Sequence, residues 1–289
     1  MMTPSAGPTT VAQALQDALA SGLPRLDAQL LLAHVLNCNR TWLTAHADHT
    51  LSEVHATTWA ELFQRAIEGE PLAYILGEKE FHGLTLHVTA DVLIPRADTE
   101  TLVDWALERL QAVTGTPTAP KVIDLGCGSG AIALAIKHRF SSAQVTAVDA
   151  SPSALAVAQN NGSRLGLDVA WSPSDWWSAV QGQLFHLAVS NPPYIADADP
   201  HVPALRHEPI MALTSGRTGL DALRQVIQDA PRHLHPNAWL LLEHGYDQAA
   251  EVRELLRARG FAEVSSRRDL AGHERCSGGC WVGPGGQTL

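Results

Sequence analysis

Basic charge is scarce in this sequence. Against thirty Asp and Glu stand only twenty Lys and Arg over 289 residues, for a formal net charge of −10. Nucleic-acid binders carry a basic footprint because phosphate neutralisation dominates their affinity. Here nothing beyond short pairs such as Arg267-Arg268 stands out. Direct nucleic-acid binding is therefore not expected, and a protein acceptor, or one with a basic surface, suits the charge better. Cysteine is rarer still. Cys38, Cys127, Cys276 and Cys280 lie scattered along the chain, which excludes a disulfide framework. His273, Cys276 and Cys280 are too few and too oddly spaced to hold a metal, so no metal site is expected. No apolar run approaches the roughly eighteen residues that span a bilayer. Residues 1–10 lack the basic start and apolar stretch of a signal peptide and read as a frayed tail. These absences leave a cytoplasmic, monomeric globule with no membrane segment as the expectation.

What is present is an ample core. Hydrophobic residues make up 45% of the chain and charged ones 17%, and the length suits one large domain plus a small one. Residues 1–70 read as a helical domain. Thr9 or Thr10 caps a helix carrying Val11, Leu15 and Leu19; Pro24 starts a second with Leu26, Leu30 and Leu31; a third runs from about Ser52 to Glu68. This bundle holds no catalytic constellation and reads as a recognition module. Residues 71–96 change period: Tyr74-Ile75-Leu76-Gly77, then Leu84 to Val88, then Val92 to Pro95 suggest a β-hairpin linker. Residues 97–289 open with a helix near Asp98 to Leu110 and a Thr/Pro/Gly/Ala linker, then alternate strands and helices up to a final strand pair. That alternation predicts an α/β fold, a doubly wound Rossmann-like sheet with ligands at the carboxyl ends of its strands.

Two motifs fall at such ends. The first is the strand Lys121 to Leu125 running into Gly126-Cys127-Gly128-Ser129-Gly130 and a helix. Glycines let backbone approach a ligand closely, and a helix start offers free N–H donors. The next strand ends in Asp149, about where an acid accepts both hydroxyls of a ribose. Gly126-x-Gly128-x-x-Ala131 also satisfies a looser dinucleotide fingerprint, so a nicotinamide enzyme is one alternative. Asp124, just before the turn, argues against a pyrophosphate and suits a cofactor with an amino-acid ammonium. S-adenosylmethionine is such a cofactor. Asp175 and Trp176, after a later strand, are placed to take its adenine, with Trp176 flanking the ring and Asp175 accepting from the amino group.

The second motif, Asn191-Pro192-Pro193-Tyr194, follows the apolar stretch Leu184 to Ser190. Each Pro lacks an N–H, so the segment leaves the sheet as a rigid loop. An amide or exocyclic amine nitrogen is a poor nucleophile because its lone pair is delocalised. The Asn191 side-chain oxygen and the Pro192 carbonyl can each accept one N–H, localising that lone pair and aiming it at a methyl donor. Tyr194 closes one face of the planar group. Together the motifs predict methyl transfer to an sp2-bound nitrogen. The readings that compete are an amino-methyltransferase of nucleic-acid bases (adenine N6 or guanine N2), the oxidoreductase above, and a non-catalytic binder.

The order of motifs resembles one family. Glu80-Phe81-His82-Gly83, Leu93-Ile94-Pro95-Arg96-Ala97-Asp98-Thr99-Glu100, the glycine loop from Asp124 to Ala133, Ser174-Asp175-Trp176, Asn191 to Ile195, Glu208-Pro209 and Leu242-Glu243-His244-Gly245 look like the HemK-type glutamine methyltransferases of peptide chain release factors. The resemblance implies the Rossmann-like class I methyltransferase fold and S-adenosyl-L-methionine as cofactor. It implies N5-methylation of the glutamine in the Gly-Gly-Gln loop of bacterial class I release factors. It maps cofactor binding onto Asp124, Gly126, Cys127, Gly128, Ser129, Gly130, Asp149, Asp175, Trp176 and Asn191. The acceptor clamp maps onto Asn191, Pro192, Pro193 and Tyr194. Ala97 departs from the family, which often has Pro there. The glycine-rich C-terminus from Cys276 also departs and reads as a flexible tail; its own Gly-Gly-Gln raises self-methylation at Gln287 as an alternative.

Overall fold

The computed structural model describes residues 9–112 and 119–283, and the chain divides into two compact units between Glu78 and Lys79. The first unit is helical: α1 (Val11–Ala20), α2 (Arg25–Val35), α3 (Arg40–Ala45), α4 (Glu53–Ile67) and α5 (Leu72–Leu76). Side-chain caps set three of the starts. Thr10 accepts from the Gln13 N–H at 3.2 Å, Asn39 from Trp42 at 2.9 Å, and Ser52 from His55 at 3.2 Å. Val11, Leu31, Leu32, Leu43, Trp59 and Ile75 form its core.

Two features of this region differ from the sequence reading. Tyr74, Ile75 and Leu76, read as extended, lie in α5, which Pro71 precedes and Gly77 ends at φ 73°. With α3, it was too short to leave a helical period. The helical unit therefore runs to Glu78, beyond the expected boundary at 70.

The hairpin is shorter than expected, β1 (Glu78–Phe81) and β2 (Leu84–His87). His82 and Gly83 turn it with φ of 50° and 81°, the left-handed pair that a two-residue hairpin loop requires. It is no linker in packing terms. Phe81, Leu84 and Leu86 join the core cluster of Leu102 and Trp105 in the second unit. Asn161 ties it down, accepting from the His87 N–H at 2.7 Å while donating to the His87 and Ser129 carbonyls at 2.9 and 3.0 Å. Val92 to Pro95, read with the hairpin, is not a strand. The Ile94 N–H goes to Glu208 instead, at 3.2 Å.

The second unit continues with α6 (Glu100–Ala112), β3 (Lys121–Leu125), α7 (Ala131–Arg139), β4 (Gln144–Asp149), α8 (Pro152–Leu165), β5 (Ala170–Pro173), β6 (Phe185–Ser190), α9 (Asp221–Asp229), β7 (Leu234–Glu243), α10 (Ala249–Ala258), β8 (Phe261–Arg268) and β9 (Glu274–Trp281). The seven strands lie in the order β5-β4-β3-β6-β7-β9-β8, parallel from β5 through β7, with β9 antiparallel to both its neighbours. Alternation along β3 shows why the sheet is covered on both faces. Val122 packs in the cluster containing Leu102, Ile132 and Ala158, whereas Ile123 and Leu125 pack with Leu223, Val226 and Leu256.

The C-terminal stretch from Cys276 to Trp281 is a strand inside the sheet, not a flexible tail. Its glycines are what allow this. A Cβ at Gly278 would meet Leu241 Cδ2 at 2.5 Å and the Leu240 carbonyl at 2.6 Å. Gln287, like residues 1–8, lies outside the described residues.

Candidate functional site

The strand order reverses between β3 and β6, and a cavity opens at the carboxyl ends beside that point, where open α/β sheets bind ligands. Its walls come from the glycine loop after β3, Asp149 ending β4, Asp175 and Trp176 after β5, and Asn191 and Pro193 after β6. Pro95, Arg96, Thr99, Pro209 and Met211 line it as well.

The glycine-loop wall is built by backbone. The Gly126 and Cys127 N–H groups donate to the Val148 carbonyl at 2.8 and 3.0 Å, binding the turn to β4. Gly126 sits at φ 72° with the Trp176 indole 3.3 Å from where a Cβ would stand, so the ring rests on the bare backbone. Gly130 caps α7 in the left-handed region, and a Cβ there would meet Trp171 at 2.9 Å. Asp149 holds this wall. One carboxylate oxygen accepts from the Gly128 N–H at 2.8 Å and the other from Ser151 at 2.9 Å. A carboxylate offers about four acceptor sites, so two remain for a diol.

Asp124 is placed differently from its expected role. It has zero exposure and does not line the cavity. One oxygen accepts from the Ala133 N–H in the first turn of α7 at 3.0 Å, and the other has no partner. Burial pushes its carboxyl up to about 7, against the Ala133 hydrogen bond that holds it down, with the Asp149 charge adding to the rise. It fastens the glycine turn to α7 from behind instead of facing a ligand. Gly130, Pro192 and Tyr194 are not among the residues that line this cavity.

The Asn191 wall is built by side chains. The Asn191 Nδ2 donates to Thr99 Oγ1 at 3.2 Å, and among the described residues no group donates to its amide oxygen. Thr99 is buried, and its hydroxyl hydrogen-bonds Glu243. The Tyr194 hydroxyl donates to the Glu243 Oε1 at 3.3 Å, and burial raises that phenol further. Glu243 is itself 1% exposed, with Oε2 unpartnered. Burial pushes its carboxyl up to about 7, against the opposing pull of Thr99, the Arg275 charge and Tyr194, while Asp98 adds to the rise. Behind the loop, Gln248 donates to the Tyr194 carbonyl at 3.0 Å. Gly219, at φ 71°, leaves room for that same carbonyl, 2.1 Å from where its Cβ would be.

Thr99, Glu243, Gln248 and Gly219 escaped the sequence reading as site residues. Thr99 and Glu243 stood in quoted motifs, but nothing in the sequence pairs positions so far apart. Trp177, the neighbour of Trp176, is core: it is 2% exposed, donates to the Val226 carbonyl at 3.1 Å and stacks on His233. No cluster of metal-ligating side chains occurs among the described residues.

The residues present fit a nucleoside cofactor without phosphates. Three carboxylates (Asp91, Asp149 and Asp175) and the Trp176 indole line the cavity. Bare backbone at Gly128 has nothing within 4 Å of a would-be Cβ, and Arg96, the one cation among the lining residues, already pairs with Glu208.

Comparison with known proteins agrees with this arrangement. The profile of the PrmC N-terminal domain matches residues 9–77, and that of the methyltransferase small domain matches residues 100–251. The release factor glutamine methyltransferase of Bordetella pertussis is 49% identical over 92% of this chain and 98% of its own length. That of Xylella fastidiosa strain Temecula1 is 45% identical, covering 92% and 96%. A crystal structure of a methyltransferase from Pyrococcus furiosus shares the fold with a TM-score of 0.53 at 16% identity, covering 78% of this chain and 100% of that one.

Proposed function

The chain belongs to the release factor glutamine methyltransferases, and from that premise we propose how its cavity performs the reaction. It is an S-adenosylmethionine-dependent enzyme that methylates release factor glutamine. The nitrogen methylated is N5, in the Gly-Gly-Gln loop of bacterial class I release factors. S-adenosylmethionine supplies an electrophilic methyl group on a sulfonium. Asp149 accepts the ribose hydroxyls, Trp176 and Asp175 flank the adenine, and the loop from Gly126 to Gly130 lies along the rest. Asp124 acts from behind, as the clamp of that loop.

Asn191 Oδ1 and the Pro192 carbonyl each accept one N–H of the glutamine amide. This turns the nitrogen lone pair out of conjugation and toward the methyl. Tyr194 backs the amide plane. No base is required before transfer, because the nitrogen becomes acidic only once alkylated. The rate gain comes from orientation and water exclusion, worth on the order of 7 kcal/mol in well-aligned systems.

One observation carries this reading: the Asn191 NH2 is spent on Thr99, so the end that faces an incoming amide is an acceptor. A nucleic-acid base as acceptor is not favoured, given the family and the net charge of −10. The helical unit engages the release factor, and the enzyme works as a cytoplasmic monomer without binding nucleic acid directly. No helix among the described residues is long and apolar enough to cross a membrane.

Incubation with labelled S-adenosylmethionine and a purified bacterial release factor, followed by tandem mass spectrometry, tests the assignment. Label on the Gly-Gly-Gln glutamine is the expected result. Label confined to DNA or RNA in a parallel reaction would overturn the acceptor.

A further inference from the structure

We propose that Glu243 and Thr99 are positioning residues for the acceptor clamp: the buried carboxylate takes the Thr99 proton, and this dictates which end of the Asn191 amide faces the substrate. The inference rests on the functional reading above and concerns how the clamp gets its polarity.

A threonine hydroxyl has one proton to give and two lone pairs to receive with. A carboxyl group accepts through its unprotonated oxygen whether or not it is ionised, and draws a stronger hydrogen bond when it is. Thr99 is shared between the Glu243 carboxylate and the Asn191 side chain. Its single proton goes to Glu243, so toward Asn191 it can only accept. Asn191 must then turn its NH2 to Thr99 and its oxygen into the cavity, which Thr99 and Asn191 both line.

A lone asparagine amide has no such preference, since its two ends are nearly equal in shape. The inverted amide would present N–H to the substrate's own NH2 and could not accept from it. Tyr194 is fixed by the same carboxylate, through its hydroxyl at 3.3 Å. One buried acceptor thus orders both members of the clamp without touching substrate. Glu243 itself does not line the cavity, and its Oε2 has no partner. A carboxylate kept dry and half-paired is costly, which argues for a task beyond packing.

Two readouts test this. The first needs no substrate. The side-chain NH2 resonances of Asn191, identified by their loss in Asn191→Asp, should include one slowly exchanging proton. Its protection should fall about tenfold or more in Thr99→Val and in Glu243→Gln, and should persist in Thr99→Ser. The second is the rate of methylation of a release factor. Thr99→Val and Glu243→Gln should each lower kcat on the order of ten- to a hundredfold with KM for S-adenosylmethionine within about twofold, and the double variant should be no slower than the worse single one. Thr99→Ser should restore most of the rate. Wild-type protection and kcat in both variants would overturn the proposal, as would equal losses in Thr99→Ser and Thr99→Val. A wild-type enzyme that leaves the release factor unmethylated would sink the functional reading instead, while the resonance measurement still decides the positioning role.

Discussion

At its glycine-loop end the cavity is made of backbone, and at its Asn191 end it is made of side chains. The first wall is a continuous stretch from β3 into α7, held by N–H groups donating to the Val148 carbonyl and to Asp149. The second assembles Thr99 before α6, Asn191 and Tyr194 after β6, and Glu243 at the end of β7. A backbone wall tolerates change in many side chains but not an added Cβ. A side-chain wall tolerates backbone neighbours but not the loss of one proton donor. The two ends should therefore fail in different ways when broken.

The largest effect is expected at the side-chain end. Asn191→Ala removes the acceptor and should cut kcat by on the order of 10² to 10³-fold, as for loss of one preorganised transition-state partner. Cofactor affinity, measured by titration, should stay within a few-fold of wild type. The mirror experiment is Asp149→Ala. Losing hydrogen bonds to a charged acceptor costs about 1.5–3 kcal/mol, so the cofactor Kd should rise roughly ten- to a hundredfold, with kcat at saturation little changed. Unchanged cofactor affinity would refute the ribose assignment.

Gly219→Ala sharpens the comparison because it disturbs the Asn191 end through backbone. Its Cβ would fall 2.1 Å from the Tyr194 carbonyl, itself held by Gln248. Overpacking of this kind costs typically about 1–3 kcal/mol. A lower Tm together with a several-fold lower kcat is the expected outcome; wild-type kcat would detach this carbonyl from the clamp.

These residues also show what the sequence made legible. The glycine loop, Asp149 and the Asn191 run were readable because each is a local pattern at the end of an apolar strand. The sheet was readable for the same reason. What stayed hidden depends on approach in space. The Glu243 carboxylate meets Tyr194 only because β6 and β7 are neighbours. The Thr99 turn is brought beside Asn191 only when α6 packs against the sheet. Sequence order places Asp124 next to the glycines, whereas the pleat turns it behind them toward α7. The final strand pair was expected, but the stretch from Cys276 was read as a tail, because glycines that usually loosen a chain here let it approach Leu240 and Leu241.

Each end also buries one carboxyl, which yields a prediction in pH. Asp124 rises from an ordinary 3.8 to about 7 in the fold, and Glu243 from 4.5 to about 7. The unfolded chain gives up these protons near pH 4 and the folded chain only near 7, so the folded state binds more protons in between. Their contribution to stability is present below about pH 4 and is lost as pH rises through 7. Glu243 answers here to Asp98 before α6, Tyr194 after β6 and Arg275 in β9; Asp124 answers to Asp149 and the Ala133 N–H. Asp124→Asn should therefore be more stable than wild type at pH 8, by an amount on the order of 4 kcal/mol. At pH 4 the difference should vanish. A variant less stable than wild type at pH 8 would contradict the assignment.

The smallest effect is expected from Ala97→Pro. Arg96 is already extended at φ −98° and ψ 144°, as a residue before Pro must be. The change should alter stability by less than about 1 kcal/mol and leave both ends of the cavity working, as thermal unfolding and kcat would show.

The comparison of the two ends is tested most directly by the single-turnover rate of methyl transfer to a release factor, followed against cofactor concentration in Asp149→Ala and Asn191→Ala. The account predicts that Asp149→Ala climbs to near the wild-type plateau at high cofactor, whereas Asn191→Ala saturates normally at a plateau on the order of a hundredfold lower. Recovery of Asn191→Ala with added cofactor, or a permanently depressed plateau in Asp149→Ala, would contradict it.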